Sequence, residues 1–324
     1  MSPELANPDA TLEYVVPLSA DATPTQELTD STKPLSLPAD RKPAASKTVI
    51  KLTQLGDFRL LAKLGQGGMG SVFKAEQMSR NRLVALKVMN KDLARKPGYI
   101  ERFQQESRFM GRLNHPNLIK CYAAGESHGF VYLAMEFIDG GSLGDRLSKE
   151  KVLTPSEAVR IALGIAYGLK AAHEVGLVHR DIKPDNILMS SNGQPKISDL
   201  GLAKSNDDDS GLTQTGICVG TPFFASLEQI RDAKSADARA DIYALGCVLY
   251  LMLVGTLPFE ANSLLGMIKA KEKGTYELAS VARPGTPASL DRIMTKCLAK
   301  SPDGRYSSCH ELIEDLELTG LGNR

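Results

Sequence analysis

The hydrophobic pattern of this chain changes period once, and that change restricts the fold more than any single residue does. Between about residue 57 and Gly140-Gly141, apolar residues come in short β-favouring runs; beyond the glycine pair they recur at helical spacing. Phe58-Arg59-Leu60-Leu61-Ala62-Lys63-Leu64 and Ser71-Val72-Phe73-Lys74-Ala75 read as strands. Leu83–Met89 reads as a third, its alternation blurred as in a sheet covered on both faces. Tyr99 to Leu113 reads as a helix, with Ile100, Phe103, Phe109, Met110 and Leu113 near one face. Strand-like runs follow near Leu118–Ala123 and Phe130–Phe137. In the second part Thr154-Pro155-Ser156-Glu157 predicts a helix start: Thr154 caps, Pro155 takes the first helical position and Glu157 closes a capping box. Further helices fit Asp241–Val254, Ser263–Lys273, Ala288–Ala299 and Ser308–Leu318. The expected class is α+β, a β-rich lobe with one helix joined to a larger helical lobe. Ligands favour the cleft that such a join leaves.

The first fifty residues follow neither period. They hold seven of the 17 prolines, many Ser and Thr, and one aromatic, Tyr14. Such a segment buries too little apolar surface to offset its ordering entropy. The chain therefore divides into a disordered leader over 1–55, a small lobe over 56–137, a helical lobe over 138–320 and a tail over 321–324. The 39 basic and 38 acidic residues leave a net charge of +1, which argues against nucleic-acid binding through bulk charge. Five scattered cysteines without a CxxC pair exclude a disulfide framework or zinc ribbon and suit a reducing compartment. No secretion signal opens the chain, and the uncharged run from Ile242 to Phe259 reads as a buried helix, broken at Pro258. The expected location is cytoplasmic, with a membrane tether only if a longer chain follows.

Three motifs carry chemistry. Gly65-Gln66-Gly67-Gly68-Met69-Gly70-Ser71-Val72 has the pattern GxGxxGxV between two strands. β-Favouring Val72 and Phe73 follow it, so it fits a hairpin whose backbone N–H groups approach phosphates, not the helix opening of a dinucleotide fold. Lys87, inside the apolar strand Val84-Ala85-Leu86-Lys87, needs partners if buried. A phosphate and the carboxylate of Glu106 would supply them. The third motif is His179-Arg180-Asp181-Ile182-Lys183-Pro184-Asp185-Asn186, of the form HRDxKxxN, with Asp199-Leu200-Gly201 beginning 13 residues after Asn186.

With these motifs in order and at these spacings, the sequence resembles the eukaryotic-type (Hanks-type) protein kinases, most closely bacterial serine/threonine kinases, from about Phe58 to about Leu318. The resemblance implies a bilobal kinase fold, split into N- and C-lobes at the boundaries above, and an ATP-dependent signalling transferase that passes the γ-phosphate to Ser or Thr hydroxyls of proteins. It implies Asp181 as the group that orients the attacking hydroxyl and takes its proton, and Lys183 as the cation facing the moving phosphoryl. Asn186 and Asp199 would hold Mg²⁺, with Mn²⁺ as a substitute. Lys87 would contact the α/β-phosphates and pair with Glu106. ATP would lie under Leu64, Gly65, Gln66, Gly67, Gly68, Met69 and Gly70. Its ring would sit between Val72, Ala85 and Leu188, with Met135 at the back and Glu136 and Phe137 leading into the hinge.

The same resemblance implies regulation. Arg180 would receive a phosphate placed on Thr213 or Thr215 of the activation segment, Asp199 to Glu228, by autophosphorylation in a dimer. Asp241 would brace the catalytic loop, and Arg305 would pair with Glu228. Met110, Cys121, His179 and Leu200 would stack as an apolar column between the lobes. Two departures stand out: Leu200 where the metal-binding triplet usually has Phe, and Ser226-Leu227-Glu228, without the usual proline before the glutamate. The alternatives are a pseudokinase acting as a nucleotide-binding scaffold, a small-molecule phosphotransferase, and the kinase part of a longer receptor.

Overall fold

The computed structural model describes residues 12–16, 48–67, 70–90, 98, 103, 107, 110–200, 222–232, 236–261 and 263–322, with side chains unassigned at 13–16 and 48–51. Glu106, Gly68, Met69, Thr213 and Thr215 lie outside the described residues.

The first lobe is built on a six-stranded antiparallel sheet in the order β3-β4-β5-β6-β8-β7. The strands are β3 (Gln54–Leu55), β4 (Phe58–Gly67), β5 (Gly70–Gln77), β6 (Arg82–Met89), β7 (Cys121–Ser127) and β8 (Phe130–Glu136). Side-chain parity assigns the two faces. On β6, Val84, Leu86 and Val88 join Phe58, Leu60, Phe73 and Ala75 in one apolar cluster. Ala85, Lys87 and Met89 therefore face the other way, toward the second lobe. On β8, Val131, Leu133 and Met135 belong to the large cluster of the helical lobe, and Phe130 and Ala134 to the small one. Both faces are covered, which is why the alternation on β6 is blurred.

Strands occur within the stretch expected as a leader. β1 (Leu12–Val16) pairs antiparallel with β2 (Thr48–Leu52), Leu12 opposite Leu52, and Leu12 packs into the small cluster. Leu12, 8% exposed, is the described side chain that ties this strand to the core, a contribution that averaged composition hides. Within the expected helix over 99–113, Phe103, Ser107 and residues 110–112 are helical, and Ser107 Oγ donates to the Phe103 carbonyl at 2.6 Å.

The second lobe is helical: α1 (Leu143–Glu150), α2 (Pro155–Glu174), α3 (Leu227–Arg231), α4 (Ala238–Val254), α5 (Leu264–Lys273), α6 (Ala279–Ala282), α7 (Ala288–Cys297) and α8 (Cys309–Leu318). A small hairpin, β9 (Ile187–Met189) with β10 (Pro195–Ile197), lies between α2 and α3 in sequence. Thr154 Oγ1 accepts from the Glu157 N–H at 3.3 Å, so α2 starts where its cap and proline place it. The reciprocal half of that capping box does not form; the Glu157 carboxylate takes the Arg146 guanidinium instead. α4 is buried along nearly its whole length and ends at Gly255 in the left-handed region, φ +85°. No helix of the described residues is long and apolar enough to cross a membrane.

Candidate active site

The site lies on the faces that the two lobes turn toward each other. Lys87 is 7% exposed, and its cross-strand neighbours are Val72 and Leu133. Its Nζ donates to Asp199 Oδ1 at 2.6 Å, so a β6 cation meets a carboxylate just past β10. Ala85 faces Met135 across β6 and β8 on the same side of the sheet. Leu188 is half-buried against the helical core, and Ser142 bridges to its backbone. Glu136, last residue of β8, takes the Lys196 ammonium of β10 at 3.0 Å, a second link between the lobes. The ring of Phe137 stands 5.1 Å from Lys74 Nζ.

The glycine hairpin joins β4 to β5, with Gly65 opposite Val72, Gln66 opposite Ser71 and Gly67 opposite Gly70. Gly70 has φ +143°, and a Cβ there would stand 2.0 Å from the Val88 carbonyl oxygen, so only glycine fits. At Gly65 and Gly67 a Cβ would meet nothing within 4 Å, which leaves room above the backbone. Leu64 is half exposed beside them.

Asp181 is held by its own loop. Lys183 Nζ and Asn186 Nδ2 each lie 3.1 Å from Asp181 Oδ2, and Asn186 Nδ2 also donates to the Asp181 carbonyl at 2.8 Å. Both Asn186 bonds use its amide nitrogen, which turns the amide oxygen away from Asp181. Ser198 donates N–H and Oγ–H to the Asn186 carbonyl, at 2.8 and 3.1 Å, and so ties Asn186 to the residue before Asp199. The two candidate metal ligands are thereby set at one end of the small hairpin, Asn186 just before β9 and Asp199 two residues past β10. Their oxygens are hard donors of the kind that suits Mg²⁺. Among the described residues no cluster of three His, Cys, Asp or Glu side chains forms a complete cage.

Beneath the loop sits Asp241, in the first turn of α4 and 1% exposed. Its carboxylate accepts the N–H groups of His179 (2.8 Å) and Arg180 (2.7 Å) and lies 2.8 Å from His173 Nε2. A buried carboxylate is stable only when so satisfied. The His179 ring is fixed as well. Its Nε2 lies 2.8 Å from the Ser198 carbonyl and must carry the proton there; Nδ1 then accepts the Asp181 N–H at 3.2 Å. Arg180 and Asp199 both occupy the left-handed region, φ +64° and +57°. That conformation costs an ordinary residue roughly 1–2 kcal/mol. At Arg180 the Asp241 bond and a bond from Gln229 Nε2 to its carbonyl hold it there. At Asp199 the Lys87 pair does so.

Of the anticipated site residues, the structure brings Lys87 to Asp199, and Asp181 to Lys183 and Asn186. Glu106 is outside the described residues, so its pairing with Lys87 stays an expectation. Met110, Cys121 and Leu200 share one buried cluster, and His179 is 1% exposed. Burial pushes the Cys121 thiol up to about 11, which suits packing and not reactivity. Sequence reading passed over His173, Ser198, Gln229 and Lys196. None belongs to a spaced motif, and each acts through a neighbour far along the chain.

Residues 58–316 match the protein kinase domain family. The chain belongs to that family. The kinase domain is 39% identical over 260 residues to the serine/threonine-protein kinase PknE of Mycobacterium bovis, covering 80% of this chain and 45% of PknE. It is 36% identical over 267 residues to the serine/threonine-protein kinase PknB of Mycobacterium leprae, covering 81% and 42%. The chain thus spans under half the length of these curated relatives. Among solved structures, it is similar to the kinase domain of Mycobacterium tuberculosis PknI at TM-score 0.64 and 26% identity, covering 82% of this chain and 97% of that one. Rad53 1–466 in complex with AMP-PNP matches at TM-score 0.67 and 26% identity, covering 79% and 64%. These likenesses establish the Hanks-type bilobal fold and place the chain nearest bacterial serine/threonine kinases.

Proposed function

We propose that the chain is an ATP-dependent serine/threonine protein kinase. The observation that carries this reading is the Asp181 carboxylate, oriented by Lys183 and Asn186 and braced from below by Asp241. Asp181 accepts the proton of a Ser or Thr hydroxyl as its oxygen meets the γ-phosphorus. Lys183, beside it, balances negative charge on the transferring oxygens. The transition state of phosphoryl transfer is loose, so catalysis is chiefly positioning plus electrostatic stabilisation. Lys87 moves from Asp199 to share the α/β-phosphates, paired on its other side with Glu106. Asn186 and Asp199 would hold Mg²⁺, or Mn²⁺ in its place, and the ion would supply charge neutralisation at phosphate oxygens. Val72, Ala85, Leu188 and Met135 would receive the adenine ring, with the backbone of Glu136 and Phe137 available to its edge.

Regulation follows from Arg180. Its Nε is buried without a hydrogen-bond partner among the described residues, and Nη2 makes one long bond, 3.3 Å, to the Ala236 carbonyl. A phosphate on Thr213 or Thr215 would satisfy those donors. Dimerisation for transfer in trans, the lobe boundaries at 56–137 and 138–320, and a cytoplasmic location belong to the same reading. The location is supported by four free, buried cysteines among the described residues.

The test is incubation with labelled ATP, Mg²⁺ and a protein acceptor, beside Asp181→Asn. Loss of a positioned general base costs about 10²- to 10⁴-fold in rate. Nucleotide affinity should stay the same. Phosphopeptide mapping should find Thr213 or Thr215 modified in the wild type alone. Nucleotide binding with no transfer by the wild type would replace this reading with the scaffold.

A further inference from the structure

α5 carries a buried cation that the reaction scheme does not use. Met267 and Lys271, one turn apart, form its buried face, while Lys269 and Lys273 are exposed. A lysine in an apolar-stripe position, 2% exposed, must find partners. Lys271 Nζ donates to the carbonyls of Phe223 at 2.9 Å and Ala225 at 2.5 Å. It also stands over the face of Tyr243 on α4, with the ring centroid 5.0 Å away. The other cation at that ring is Arg305, 4.8 Å from the centroid and itself committed to Glu228. Lys271 therefore has neutral partners, two carbonyl dipoles and a π face, where a buried ammonium would usually take a carboxylate. Burial accordingly pulls its pKa down.

Its two carbonyl partners lie in the stretch that joins the activation segment to α3. Ser226 and Leu227 follow at once, and Glu228 is tied to Arg305. Leu227 has no ring to lock its φ, so backbone torsion alone does not fix the approach to α3. α3, which follows these residues, reaches the loop that carries Asp181 through Gln229 Nε2, which donates to the Arg180 carbonyl at 2.5 Å, so a clamp on residues 223 and 225 sets how the chain enters the helix anchored to that loop.

We propose that Lys271 is a positioning residue for protein-substrate docking, its ammonium holding the Phe223 and Ala225 carbonyls so that the end of the activation segment presents a fixed surface to the acceptor chain. This rests on the kinase reading above. Lys271 touches neither nucleotide nor reacting atoms, so its effect belongs to the acceptor and not to ATP.

The experiment is steady-state phosphorylation of myelin basic protein by the full chain, with Lys271→Met, Lys271→Arg and, as an exposed control on the same helix, Lys269→Met. ADP titration checks the cleft of each protein. Lys271→Met should raise KM for the protein substrate about tenfold, with KM for ATP and ADP affinity within about twofold. Lys271→Arg, which keeps charge and donors, should recover much of the loss, and Lys269→Met should match the wild type. Unchanged protein-substrate KM in Lys271→Met overturns the proposal. So does a parallel loss for ATP, or the failure of both Lys271 variants to melt cooperatively, since the lysine would then serve the whole lobe. A wild type that binds ADP but transfers nothing would sink the kinase reading first and this one with it.

Discussion

Glu228 and Arg305 illustrate how much one buried pair does in the helical lobe. The Arg305 side chain is 0% exposed and bonds Glu228 through both Nη atoms, at 2.6 and 3.0 Å, with three backbone carbonyls taking its remaining donors. Removing one member of such a pair strands the other, at a cost of about 3–5 kcal/mol. Glu228→Ala should lose that much in urea unfolding. The pH dependence has a definite sign. Burial pushes the Glu228 carboxyl up, but the Arg305 hydrogen bonds, Ser226 and the guanidinium charge outweigh it, and its pKa falls below the ordinary 4.5. Its contribution is present above that value and is lost as pH falls through the lower folded value. The stability curve of Glu228→Ala should be flatter on the acid side than that of the wild type. This pair was legible in the sequence, because Glu228 and Arg305 stand at motif positions. The His173–Asp241 contact was not: a histidine near the end of an apolar helix looks like any other, and nothing local says that α4 brings a carboxylate to it.

At the scale of elements, caps and turns account for most of what could be read locally. α2 begins where Thr154 and Pro155 demand. α1 went unread, although Ser142 and Asp145 form a complete capping box: the Asp145 N–H reaches Ser142 Oγ at 3.0 Å, and Asp145 Oδ2 takes the Ser142 N–H at 2.9 Å. The helix is eight residues long and buries only Leu143 and Leu147, so it offers two apolar positions to read, and Asp stands where the usual pattern has Glu or Gln. Ser142→Ala should cost about 1 kcal/mol, seen as a lower urea midpoint with unchanged slope. In the glycine hairpin, Gly70→Ala should displace β5 from β6, because the added methyl would strike the Val88 carbonyl. Nucleotide affinity should fall while α-helical circular dichroism is retained, since the clash lies in the other lobe. β1 shows the reverse lesson. It pairs with β2 some thirty residues on and anchors through Leu12 in the small cluster, so leader composition concealed it.

For the whole molecule, the described residues link the lobes through the side-chain pairs Lys87–Asp199 and Glu136–Lys196 and through hydrogen bonds of Asn117 and Ile119 to Pro195 and Ile197. A ligand that spans them should stabilise both. At a hundred times its dissociation constant, a nucleotide with Mg²⁺ adds about 2.7 kcal/mol by mass action, read as a rise in melting temperature. Asp199→Asn should abolish the Mg²⁺-dependent part of that rise and leave the nucleotide-only part. By itself the sequence determined the fold class, through hydrophobic period and cap chemistry, which are short-range quantities. Its resemblance to the kinase family, carried by motifs in order and at fixed spacing, put forward Asp181, Lys183, Asn186, Asp199 and Lys87 as candidates. Only the tertiary structure decided that β8 lies between β6 and β7, that Leu12 joins the sheet, that His173 reaches Asp241 and that Lys271 clamps the end of the activation segment. Each of these joins residues tens of positions apart. The free energy of such a contact comes from burying and satisfying both partners together, and that is invisible in either partner's local sequence.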